Sequence, residues 1–192
     1  PPTAEELDQM RALVDRAMQD GAVGLSTGLI YLPGTFAKTD EIVALAKVAA
    51  AHGGIYVSHM RYENTRIRDA LDELTTVARE ARIPAEVSHL KLSGPAAWGR
   101  ADEIIAYLDR ARASGLAITH DQYAYTASST GIGTLITAEF REGGAQRYRE
   151  RLADPAEKAR MVAEMKDSLT KGKRGDYTYA VIASFKADPK LN

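Results

Sequence analysis

The tripeptide Val-Ser-His occurs twice, at 57–59 and 87–89, thirty positions apart, and each copy closes a short apolar run. About thirty residues is the length of one strand–helix–strand unit. If both runs are parallel strands, both imidazoles leave the sheet at its carboxyl edge, about one strand apart. Barrels and open α/β sheets place their chemistry at that edge. Two imidazoles converging there make a metal site the first expectation, and two histidines satisfied by backbone groups the plainer alternative.

The rest of the chain carries the same period. Thr3 to about Asp20 predicts a helix, with capping-box spacing between Thr3 and Glu6 and Gly21 as its stop. Ala22 to Thr27 predicts a strand, followed by a Gly/Pro loop over 28–34. Thr39 is placed to cap a second helix through about Ala51, broken at Gly53-Gly54. Strands are expected at Ile55–Ser58, Ala85–Ser88 and Leu116–Thr119, with helices over about 65–82 and 100–114 between them. Strand ends near Ser26, His59, His89 and Asp121 lie 33, 30 and 32 residues apart. Such regular alternation predicts an α/β fold: about four consecutive units of a (β/α)8 TIM-type barrel over residues 1–130.

After Thr130 the period is lost. Residues 138–152 and 155–170 are charged and helix-prone, with Asp154-Pro155 as a start signal. A basic turn over 171–175, most simply a solvated loop, leads to an expected strand from Tyr177 to Ser184. Residues 131–192 therefore predict a helical insertion or lid and the start of a following strand.

Composition narrows the chemistry. The chain has no cysteine, so a metal must be held by His, Asp or Glu. A formal net charge of −1 offers no footprint for nucleic acid or an anionic membrane. No apolar run approaches the roughly 20 residues that span a bilayer. No export signal is visible, so the expected location is cytoplasmic, although the lack of an initiator Met reads as a piece of a longer protein.

Around the histidines, several residues have two readings. Arg61 and Glu63 suit either support of a metal-binding His59 or a structural ion pair at a helix start. Lys91, two residues past His89, suits a substrate carboxylate or solvent equally. Tyr123, Tyr125, Ser128, Ser129 and Thr130 form a polar aromatic cluster fit for ligand hydrogen bonds or for an ordinary loop. Asp121 is a possible neighbour of the metal, with His120 alternating to its other side. His52 is better explained as a helix C-terminal residue complementing the dipole. Gly24-Leu25-Ser26-Thr27-Gly28 matches G-x-S-x-G, but a nucleophile elbow needs a helix directly after the turn, and none is expected before about residue 39. A serine hydrolase using Ser26 and a non-catalytic α/β binding module are the alternatives to a metal enzyme.

Four blocks together resemble a known family. Residues 24–34 (GLSTGLIYLPG), 58–63 (SHMRYE), 88–91 (SHLK) and 121–130 (DQYAYTASST) are similar, in order and spacing, to the N-acyl-D-amino-acid deacylases (D-aminoacylases) of the amidohydrolase superfamily. The resemblance implies a zinc-dependent barrel that hydrolyses the amide of N-acyl-D-amino acids. It implies metal ligation by His59 and His89, a grip on the substrate carboxylate by Lys91, Tyr123 and Ser129, and a mobile cover formed by the later helices. The family's His-x-His pair, cysteine ligand, eighth-strand catalytic Asp and second carboxylate-binding Arg have no counterpart here. The expectation is a central fragment with no catalytic acid of its own and no useful activity alone. Its unpaired sheet edges invite self-association.

Overall fold

Apolar residues in the third helical segment recur at 67, 70, 71, 74, 77, 78 and 81, a spacing that puts them on one face of a helix. The computed structural model, which describes residues 1–185 and 187, buries every one of them. They sit at the centre of a core that also takes Ile42, Val43 and Ala46 from one flanking helix and Ile104 and Leu108 from the other.

The elements run α1 (Ala4–Gln19), β1 (Gly24–Gly28), α2 (Thr39–Ala51), β2 (Ile55–His59), α3 (Ile67–Ala81), β3 (Ala85–Val87), α4 (Ala101–Ala113) and β4 (Ile118–His120), followed by α5 (Ala138–Arg141), α6 (Gly144–Ala153) and α7 (Pro155–Lys171). The strands form one parallel sheet in the order β1-β2-β3-β4, the arrangement expected of consecutive barrel staves. Tyr56, Ala85, Val87 and Ile118 face the helices. On that face the Thr27 hydroxyl meets Tyr56 Oη at 2.9 Å and donates to Ser58 Oγ at 3.0 Å, pinning the β1–β2 register. By strand alternation Ser26, Ile55, Val57 and Glu86 lie on the other face. Gly24 is required by the close approach of β1 and β2: a Cβ there would collide with the Ile55 carbonyl.

Local signals set several boundaries. The capping box of α1 forms, with Glu6 N donating to Thr3 Oγ1 at 3.2 Å and Thr3 N to Glu6 Oε2 at 2.7 Å. Asp154 caps α7 by accepting from Ala156 N and Glu157 N. Other expectations are corrected. Thr39 is the first residue of α2 rather than its cap; its hydroxyl donates to Glu73 Oε1 at 2.9 Å and so ties α2 to α3. The helix expected over 138–152 is two helices, because Gly143 and Gly144 both take positive φ (85° and 81°) and halt it. The strand expected at 177–184 is turn and irregular chain, with no partner strand beside it among the described residues. No helix among the described residues is long and apolar enough to cross a membrane.

Leu74 is 1% exposed at the middle of α3. Leu74→Ala is expected to cost about 2–5 kcal/mol, read as a lowered urea midpoint with an unchanged slope.

Candidate metal centre

His59 is the last residue of β2, and His89 lies two residues past the end of β3. Parallel pairing in register brings both to the carboxyl edge of neighbouring strands. Their ring centroids are 4.4 Å apart at an interplanar angle of 76°. Glu63 enters from the β2–α3 connection. His59, Glu63 and His89 each offer a ligand atom within 4.8 Å of the others, and all three are partly buried.

The protonation chemistry favours a cation. His59 Nε2 is buried without a hydrogen-bond partner, an arrangement that costs free energy unless something takes its lone pair. Burial is the main force pushing the His59 pKa down. The neighbouring His89 and Lys91 act the same way, while Glu63 opposes them. Neutral imidazole, the ligating form, is thereby favoured. His89 Nδ1 lies 2.9 Å from Glu63 Oε1 and 2.7 Å from Lys91 Nζ. One nitrogen cannot both donate to the carboxylate and accept from the ammonium. Nδ1 accepts from the Lys91 ammonium, and the Glu63 carboxylate stands beside the ring as a charged neighbour. Lys91 Nζ also donates to Glu63 Oε1 at 2.5 Å and to the His89 carbonyl at 2.9 Å.

The other sequence candidates separate. Tyr123 is close: its ring lies 6.4 Å from that of His89 and 5.6 Å from Lys91 Nζ. Ser129 is exposed in the loop after β4, and no described contact joins it to Lys91 or either histidine. Arg61, expected beside the histidines, turns away from them. Its Nε donates to Glu73 Oε2 at 3.0 Å, and its other nitrogens donate to Glu73 Oε1 and to the carbonyls of Thr35 and Ala37. The planar guanidinium fork matches the α3 carboxylate and two loop carbonyls, so Arg61 is a strut between α3 and the β1–α2 loop. Asp121 is outside the three-residue group; its carboxylate accepts from the His89 backbone N–H. His52 ends α2 and pairs with Asp15 at 2.7 Å. Ser26 sits mid-strand in β1, opposite Val57, and only a 3-10 turn at Gly34–Phe36 comes between β1 and α2, which is not an elbow.

The sequence reading missed Tyr31. Its ring centroid is 5.0 Å from that of His59, and its hydroxyl meets Thr130 Oγ1 at 3.2 Å. The one available signal was an aromatic residue in the loop leaving a strand at the active edge. A cavity of about 450 Å³ lies elsewhere, lined by Ile132, Leu135, Ile136, Arg141, Tyr148 and Met165, and includes none of the three-residue group.

No protein-family model matches the chain. The chain is 42% identical over 129 residues to the N-acyl-D-glutamate deacylase of Alcaligenes xylosoxydans xylosoxydans, an alignment covering 67% of this chain and 26% of that protein. The N-acyl-D-glutamate deacylase of Bordetella bronchiseptica, solved with zinc and a phosphonate mimic of the tetrahedral intermediate, superposes with a TM-score of 0.66 at 38% identity, over 73% of this chain and 28% of that one. D-aminoacylase, whose crystal structure defines a subset of amidohydrolases, gives a TM-score of 0.64 at 39% identity over 66% of this chain and 27% of that one. The chain thus spans about a quarter of the length of the curated relatives it matches.

Proposed function

We propose that this chain belongs to the N-acyl-D-amino-acid deacylase family of amidohydrolases and supplies part of a zinc site for hydrolysing the amide bond of N-acyl-D-amino acids. The observation that carries the proposal is the buried, partnerless Nε2 of His59 beside His89 and Glu63. His59 and His89 would hold the ion, with the Glu63 carboxylate beside them. Zinc, when bound, supplies Lewis-acid polarisation of the scissile carbonyl.

Lys91, Tyr123 and Ser129 would hold the substrate's α-carboxylate. The Lys91 ammonium already rests on Glu63 and the His89 carbonyl, with 21% of its side chain exposed. Its three N–H groups already meet Glu63 Oε1, His89 Nδ1 and the His89 carbonyl, so a carboxylate arriving from solvent would displace one of these partners. The Tyr123 ring, 5.6 Å from the ammonium, would bound the pocket on one side. No residue of this chain is given the proton-transfer role.

The test is metal removal in a protein that carries this segment at the length of its relatives. A strong chelator should abolish hydrolysis of an N-acetyl-D-amino acid and added zinc should restore it, while Ser26→Ala should retain activity. Hydrolysis that survives chelation but is lost in Ser26→Ala would replace the zinc reading with the serine one.

A further inference from the structure

His89 does not simply extend β3. Its φ is 42°, in the left-handed region that residues with a Cβ rarely adopt. A chain turning there pulls its N–H out of the parallel ladder, so that donor needs another acceptor.

Asp121 supplies it. The residue directly follows β4 and makes three contacts with the same corner. Its N–H donates to the Val87 carbonyl at 3.2 Å, its carbonyl accepts from Leu90 N at 3.0 Å, and its side-chain Oδ1 accepts from His89 N. The two backbone bonds carry the β3–β4 pairing one step beyond the strands. The carboxylate fills the one position where the left-handed turn has displaced the main chain. A charged acceptor makes this a strong form of the bond.

We propose that Asp121 is a positioning residue that fixes the left-handed corner at His89 and so aims the His89 imidazole at the shared cation. The proposal rests on the reading of His89 as a zinc ligand. It also joins two parts of the site. The chain from Asp121 runs on to Tyr123, whose ring lies 6.4 Å from that of His89, so the ligand's corner and the loop expected to meet substrate are anchored at one residue.

The experiment follows the His89 backbone amide by 15N–1H NMR in the labelled chain without metal, then titrates zinc. In the wild type that amide is expected to resonate downfield and to exchange slowly with solvent. Asp121→Ala should move it upfield, speed its exchange and weaken zinc binding about tenfold, within the range carried by outer-shell partners of metal ligands. Asp121→Asn, which keeps the accepting oxygen, should restore most of both effects. An unchanged His89 amide and zinc affinity in Asp121→Ala would overturn the proposal, as would an Asn variant as impaired as the Ala variant. If Asp121→Ala does not fold, rapid exchange of the wild-type His89 amide overturns it alone. A wild-type chain that takes no zinc would instead refute the metal reading, while the amide comparison still decides the role of Asp121.

Discussion

His59→Ala is expected to weaken zinc binding by more than about 100-fold while leaving the sheet folded. Outer-shell partners of metal ligands typically carry 10–100-fold in affinity, and His59 is argued to be a ligand itself. The expected absence of a folding penalty has a structural reason. His59 Nε2 has no hydrogen-bond partner, so removing the ring leaves no donor or acceptor stranded through that atom. The backbone pairing of β2 with β1, including Leu29 N to His59 O at 3.0 Å, does not depend on the side chain. Calorimetric zinc titration and a urea melt of the same variant separate the two effects. His89→Ala should lose zinc similarly. A variant that binds zinc like the wild type would remove the residue from the site.

Arg61→Ala is expected to do the reverse: about 3–5 kcal/mol lost in stability, the range for breaking a buried ion pair from one side. Arg61 and Glu73 keep only 14% and 11% of their side chains exposed. Without the guanidinium, Glu73 retains the Thr39 hydroxyl, and the carbonyls of Thr35 and Ala37 lose their donors. Arg61→Lys should recover little, because an ammonium cannot span the carboxylate and two carbonyls as a planar fork does. Urea denaturation measures the loss, and a double-mutant cycle with Glu73→Gln should show strong coupling. An Arg61→Ala melt indistinguishable from the wild type would show that the strut does not hold α3 to the loop over 34–37.

How far the sequence discloses this arrangement depends on the range of the interactions involved. The strand ends at His59 and near Ser26, His89 and Asp121 are legible because each unit repeats at a fixed length and parallel pairing keeps that register. The convergence of His59 with His89 follows from the same regularity. The α1 capping box and the Asp154 cap are local, and they form as their spacing predicts. What depends on distant partners was hidden. Arg61 is two residues from His59 in sequence, yet its partner sits on α3. Tyr31 meets Thr130 across 99 positions. Tyr177, Tyr179 and Val181 alternate like a strand, but alternation makes a strand only where another strand is available to pair, and Val181 is 88% exposed. The Gly143-Gly144 pair was a local signal of a helix break that the charged, helix-prone context obscured.

The most direct test of the shared cation site is anomalous diffraction at the zinc absorption edge from crystals of this chain grown with zinc. One peak is expected between the two rings, about 2.0–2.1 Å from a nitrogen of His59 and a nitrogen of His89, the usual zinc–imidazole distance. Zinc bound elsewhere, with both imidazoles free of it, would contradict the account.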